Sequence, residues 1–135
     1  MSKSKQPTLI KLKDNGDKIF LHSAYDPQKE AANFIESKNL KNSLNYIITG
    51  FGLGYHISEL IKHASSKAHI FVIEKEIEIL RIAFETVDLE SILKHPSLLI
   101  LLNPKKTGLL ENLENTKTEL AFNGYTSINF KSLVE

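Results

Sequence analysis

The sequence predicts an α/β fold, a Rossmann-like three-layer sandwich of about five mostly parallel strands with helices on both faces. Short, continuous apolar runs alternate with amphipathic helical patterns, and such alternation is typical of a parallel sheet covered by helices. Three glycines at every second position follow the first buried run, as in a loop that leaves a parallel strand. The 135 residues, 41% of them hydrophobic, are enough for one core of ordinary composition.

The predicted elements follow one another in a regular order. The β-prone run Lys18–Ser23 comes after the turn signal Asp14–Asp17. Asp26 and Pro27 are typical of the N-cap and first position of a helix that extends to Ser37. We expect further strands over Tyr46–Thr49, Ala68–Ile73, Leu98–Leu102 and Tyr125–Phe130, and helices over Tyr55–Ala64, about Ile77–Phe84, Val87–Leu93 and Thr107–Phe122.

The domain organisation follows from this order. We expect residues 1–17 to form a flexible N-terminal segment and residues 18–135 to form a single Rossmann-like domain. The chain stops just after a predicted strand, whereas doubly wound domains generally continue further. We therefore expect a domain excised from a longer protein.

Composition excludes several classes of protein. The formal net charge is +1, from 17 basic and 16 acidic residues, so no basic footprint for nucleic acid is present. The absence of cysteine excludes disulfide scaffolds, thiolate zinc sites and cysteine nucleophiles. No signal peptide and no apolar run near the roughly 20 residues of a membrane span is visible. We expect a soluble, cytoplasmic protein without a membrane span.

The glycine loop after the first buried strand is the strongest candidate for a ligand site. Gly50, Gly52 and Gly54 have the spacing G-x-G-x-G, because Tyr55 stands where a dinucleotide loop has its third glycine. Glu74, 20 residues beyond Gly54 at the next strand end, is placed to accept ribose hydroxyls. Asn103, after the third strand, is placed to contact an adenine. This pattern is closer to S-adenosylmethionine loops than to dinucleotide loops, and the candidate cofactors are a nucleotide or S-adenosylmethionine.

Other observations leave a structural interpretation open. Ile48 stands where methyltransferase loops usually have an acidic residue, and the glycines would equally permit a tight strand-to-helix turn. His56, in the first turn after the loop, is a further ligand-binding candidate, and His22, Tyr25 and Asp26 are additional ones near a sheet edge. The five histidines show no convincing metal-ligand spacing, so we predict no metal site, and we assign no catalytic residue.

Two motifs together resemble a known family. They are "LHSAYDPQKEAANFI" (Leu21–Ile35) and "IITGFGLGYHISELI" (Ile47–Ile61), followed by "FVIEKEIEILRIAFE" and "DLESIL". The chain resembles, over roughly residues 18 to 104, the N-terminal region of the bacterial motility-associated factor (Maf) glycosyltransferases, which are implicated in flagellin glycosylation. No catalytic residue of that family can be carried over to this chain. The motif positions that carry over are His22, Tyr25, Asp26, Gly50, Gly52, Gly54, His56 and Glu74.

The resemblance implies a larger cytoplasmic protein. Its transferase domain, beyond Glu135, would transfer nonulosonic (sialic-acid-like) sugars such as pseudaminic acid to serine or threonine of flagellin. This chain would then be a non-catalytic accessory domain, with that downstream domain and flagellin as its partners. The alternatives are a methyltransferase-type domain that binds S-adenosylmethionine or a nucleotide, and a purely structural interaction domain.

Overall fold

The computed structural model describes residues 1–38, 40, 44–102 and 126–129. The described elements, in chain order, are β1 (Ile10–Leu12), β2 (Lys18–Phe20), α1 (Pro27–Ser37), β3 (Asn45–Thr49), α2 (Tyr55–His63), β4 (His69–Glu74), α3 (Ile77–Thr86), α4 (Glu90–Leu93), β5 (Leu98–Leu102) and β6 (Thr126–Asn129).

Within the described residues, the main sheet has four strands in the order β5-β4-β3-β6, and every neighbouring pair is parallel. In register, Ile48 lies between Val72 of β4 and Ile128 of β6. Parallel strands require crossover connections, here made by α2 between β3 and β4 and by α3 with α4 between β4 and β5. The predicted α/β class, with a parallel sheet flanked by helices, is confirmed.

The first predicted strand lies elsewhere than expected. Lys18–Phe20 does not extend the parallel sheet but pairs antiparallel with Ile10–Leu12 in a separate two-stranded hairpin. The reason is the turn between them, where Gly16 has a φ of +88° and the Asn15 side chain accepts from the Asp17 N–H at 3.0 Å. The segment predicted to be flexible, residues 1–17, therefore contains β1.

The described core lies on one face of the sheet. Tyr46, Ile48, Ile70, Val72 and Ile128 are fully or almost fully buried, and the register places them all on that face. Residues of the helices complete the same cluster, among them Ile35, Ile57, Leu60, Ala83 and Ile92. The helix expected over Thr107–Phe122 lies outside the described residues.

The start of α1 matches the sequence prediction. The Asp26 carboxylate accepts from the Lys29 N–H at 3.0 Å, and Pro27 occupies the first helical position. Within the described part of the chain, no helix combines the length and the apolar character that crossing a membrane requires.

Candidate functional site

The glycine loop, residues Gly50 to Gly54, has a backbone that only glycine adopts readily. Gly50, Gly52 and Gly54 have φ values of +91°, +56° and +84°. The two residues between them point inward, since Phe51 is 0% and Leu53 1% exposed. The alternating spacing thus buries two large apolar side chains in the core, between three glycines in the left-handed conformation.

The N–H groups of this loop are bonded to the protein itself. In nucleotide-binding loops such groups face a phosphate. Here four of the five loop N–H groups donate to other acceptors of the chain: Gly50 to the Ile73 carbonyl (2.8 Å), Phe51 to the Glu74 carboxylate (3.1 Å), Leu53 to the His22 ring (2.9 Å) and Gly54 to the Phe51 carbonyl (3.0 Å).

Glu74 lies at the end of β4, as predicted, but both of its oxygens face the backbone. Oε1 accepts from the Phe51 N–H and Oε2 from the Glu76 N–H, each at 3.1 Å. The residue is only 4% exposed. One carboxylate therefore connects the glycine loop to the segment that begins α3.

His22 is the second side chain that closes the loop. Its Nε2 accepts the Leu53 N–H, so the ring is neutral with its proton on Nδ1. Burial and, to a lesser extent, the nearby His56 ring together lower the pKa of His22 to about 3. The ring therefore stays an acceptor at neutral pH.

His56 binds the other end of the loop. Its Nε2 donates to the Gly50 carbonyl at 2.9 Å, from the first turn of α2. Burial lowers the pKa of His56 to about 4, although the bond to Gly50 acts in the opposite direction. Its ring centroid lies 6.4 Å from that of His22.

Tyr55 joins the two motifs. Its ring meets the His22 ring edge-on, with centroids 5.2 Å apart, and its hydroxyl donates to the Pro7 carbonyl at 2.6 Å. The "LHSAYDP" and "GFGLGYH" motifs therefore form one unit, with His22 bonded to Leu53 and packed on Tyr55. The contacts with the Pro7 carbonyl and the Leu53 N–H were not predicted, since a backbone acceptor or donor leaves no signal in the sequence.

Gly54 also marks a close approach of α4 to the loop. A Cβ at this position would lie 2.8 Å from Ile92 Cδ1 and 3.3 Å from Leu89 Cδ2. Gly54 is the residue before α2, and its carbonyl accepts the Ser58 N–H at 2.9 Å. The third glycine thus serves close packing as well as the turn.

A small cavity of about 160 Å³ lies beside Gly54 and the first turn of α2. Its polar lining comes from Gln28, Ser58 and Asp88, and Leu53 and Ile92 are among its apolar walls. Ligand pockets for drug-sized molecules have volumes of roughly 300 to 1,000 Å³. The cavity is thus too small to enclose a nucleoside.

The remaining candidates lie apart from the loop. Tyr25 is 63% exposed, with the Lys3 ammonium 4.4 Å from its ring centroid. Asp26 caps α1. Asn103 lies outside the described residues. Among residues 1–38, 40, 44–102 and 126–129, no group of three or more histidine or acidic side chains could hold a metal ion.

Comparison with solved structures finds a similar chain arrangement in an S-adenosylmethionine-dependent O-methyltransferase from Thermotoga maritima. The two chains are 20% identical, with a TM-score of 0.46 over 76% of this chain and 42% of that chain. This chain therefore spans less than half of that enzyme's length. A search of curated proteins finds no match.

A family model supplies the remaining comparison. The model described as the glycosyltransferase Maf N-terminal domain matches residues 2–124. The match includes both motifs, the glycine loop and Glu74. This chain therefore belongs to the family of Maf glycosyltransferase N-terminal domains.

Proposed function

We propose that this chain is the non-catalytic N-terminal domain of a cytoplasmic, multidomain glycosyltransferase that modifies flagellin with nonulosonic, sialic-acid-like sugars. The family supports the glycosyltransferase part, and the motif resemblance supports the sugar class and the acceptor. The accessory role rests on one observation: His22 and Glu74 accept N–H groups of the glycine loop, so the loop is closed by side chains of the chain itself.

The closed loop disfavours a nucleotide site for an energetic reason. A phosphate or ribose would have to displace bonds to buried groups, and each buried polar group left without a partner costs about 1–3 kcal/mol. Both Glu74 oxygens are already used, and the neighbouring cavity has only about 160 Å³. The domain then acts through its fold and its surfaces, with the transferase domain of the same polypeptide as its partner.

Titration calorimetry on the 135-residue chain distinguishes the methyltransferase-type alternative from the accessory role. The ligands are S-adenosylmethionine, S-adenosylhomocysteine and cytidine nucleotides. We expect no heat beyond dilution for any of them, because four of the five loop N–H groups are already bonded. Tight binding of either of the first two would overturn the accessory role and favour the alternative.

The glycosyltransferase part is tested on the full-length protein. Incubation with a cytidine-activated nonulosonic acid and unmodified flagellin should raise the intact mass of flagellin by one or more sugar residues. The 135-residue chain alone should leave that mass unchanged. Transfer by the short chain, or no transfer by the full-length protein, would contradict the proposal.

A further inference from the structure

The hairpin β1–β2 has an apolar face that the core does not use. Ile10 lies opposite Phe20 and Leu12 opposite Lys18, so these four side chains point to one side. The three apolar members are 41% (Ile10), 66% (Leu12) and 44% (Phe20) exposed. We call these four residues the outer hairpin face.

The other face of the hairpin is already in contact with the domain. Ile19 packs against the core, and the Lys11 ammonium lies 2.6 Å from the Glu76 carboxylate. Leu9 and Leu21, which flank the strands, are buried. The hairpin is therefore held in a defined orientation, with its outer face turned to solvent.

The edges of the hairpin add to this surface. Leu21 donates to the Leu9 carbonyl and Lys13 to the Asp17 carbonyl, at 2.8 and 2.9 Å. Because bonded and non-bonded pairs alternate in an antiparallel ladder, the N–H groups of Ile10 and Phe20 point away from the hairpin. Such edges can accept an added strand.

The exposed apolar area of the outer hairpin face indicates which kind of partner it can bind. The exposed parts of its three apolar side chains amount to roughly 300 Å², whereas each partner in a stable complex of free proteins buries roughly 800 Å². A partner in the same polypeptide needs less, because tethering supplies an effective concentration near the millimolar range. Inter-domain interfaces begin at roughly 600 Å² in total, which is roughly 300 Å² a side.

The positive charge on the outer hairpin face indicates what charge its partner carries. Lys18 lies on the face itself, whereas Lys11 points to the other face, where it is paired with Glu76. A complementary surface would therefore be apolar with carboxylates at its rim.

We propose that the outer hairpin face docks against the transferase portion of the same polypeptide, on an apolar surface or strand edge rimmed by carboxylates. This inference rests on the proposed function, because it takes the chain as the N-terminal domain of a larger glycosyltransferase.

Hydrogen–deuterium exchange tests the docking, on the 135-residue chain and on the full-length protein. Peptides covering residues 9–21 should exchange at least about tenfold more slowly in the full-length protein, because docking buries the hairpin. Peptides covering α3, around Phe84, serve as the internal reference. Equal exchange of the hairpin in both proteins would overturn the proposal.

Charged substitutions identify the face that docks. Phe20→Glu and the charge reversal Lys18→Glu should each remove the added protection in the full-length protein. Phe84→Glu, at an apolar residue that is 51% exposed on α3, should leave it in place. In the 135-residue chain all three variants should keep the wild-type Tm, since all three residues are exposed.

Two outcomes separate this inference from others. Concentration-dependent dimers of the short chain, abolished by Phe20→Glu, would show that a second copy occupies the face and would overturn the proposal. Exchange does not depend on sugar transfer, so a protected hairpin in an inactive full-length protein overturns the proposed function alone. An active transferase with an unprotected hairpin overturns the docking alone.

Discussion

His22 lies where the two sequence motifs meet, and its ring accepts a backbone N–H that no other described group accepts. An acceptor histidine must stay neutral, because a proton on Nε2 would oppose the Leu53 N–H. Burial lowers the folded-state pKa of His22 to about 3 and that of His56 to about 4, from an ordinary value of 6.5. The closed loop is therefore sensitive to acid through two side chains.

This sensitivity gives a prediction with a definite sign. Between pH 6.5 and about 4 the unfolded chain binds protons that the folded chain excludes, so the free energy of unfolding falls as pH falls. Each histidine contributes a limiting slope of about 1.4 kcal/mol per pH unit. Urea denaturation at pH 7, 6, 5.5 and 5 measures the slope.

The variant His22→Phe isolates one of the two contributions. It should lose about 1–3 kcal/mol at pH 7, because the buried Leu53 N–H loses its acceptor. Its pH dependence should be shallower than the wild type's by about one proton. Tyr25→Phe, at an exposed ring in the same motif, is the matched control and should change neither quantity. A wild-type slope in His22→Phe would contradict the assignment.

At the scale of elements, the glycine loop depends on close packing as much as on backbone conformation. Gly54→Ala should cost about 2–4 kcal/mol, from the left-handed backbone and from contact with Ile92 Cδ1. Gly16→Ala is the matched control, since Gly16 also has a positive φ but nothing lies within 4 Å of its Cβ position. It should cost only about 1–2 kcal/mol.

A second substitution separates the two causes. Ile92→Val removes Cδ1, the atom nearest to the added methyl group. In urea denaturation, the double variant Gly54→Ala/Ile92→Val should be less destabilised than the sum of the single variants. Strict additivity would mean that backbone strain alone accounts for the Gly54 effect.

The strands of the parallel sheet and the start of α1 could be predicted because their sequence signals are local. The apolar runs at β3, β4 and β5 and the Asp26–Pro27 helix start depend on neighbouring residues. The closure of the loop depends instead on pairs such as His22 with Leu53 and Glu74 with Phe51, which are 31 and 23 positions apart. A carboxylate at the end of β4 has the same sequence signature whether it accepts from a ribose or from a backbone N–H.

The β1–β2 hairpin shows another limit of prediction from the sequence. Lys18–Phe20 was expected to join the parallel sheet, because its β-prone composition carries no information about its partner strand. The signal that was missed is the short, largely apolar run Leu9–Leu12 before the Asn15–Gly16 turn, since an Asn-Gly turn between two β-prone runs is typical of a hairpin.

At the scale of the whole molecule, the N-terminal residues are tied to the rest of the domain. Lys3 and Ser4 donate their N–H groups to the carbonyls of Ala24 and Tyr25, at 2.9 and 2.8 Å. The Pro7 carbonyl accepts from the Tyr55 hydroxyl, and the Thr8 hydroxyl donates to the His22 carbonyl. Residues 2–8 thus hold the motif segment that supplies His22.

We therefore expect deletion of residues 2–8 to destabilise the domain. Four hydrogen bonds at about 0.5–1.5 kcal/mol each give a loss of about 2–6 kcal/mol, measured by urea denaturation. Tyr55→Phe, which removes only the bond to Pro7, should lose about 1 kcal/mol. A deletion without effect would support the expectation from the sequence that residues 1–17 form a flexible segment.

The position of β3 in the sheet has a consequence for synthesis. β3 pairs with β4 on one side and with β6 on the other, and its partner residues Tyr46 and Thr126 are 80 positions apart. At about 5–20 residues per second, translation delivers β6 about 4–16 s after β3. During that interval the nascent chain carries an open, apolar strand edge in the middle of its future sheet. Chaperone dependence should therefore be greatest before β6 has emerged from the ribosome.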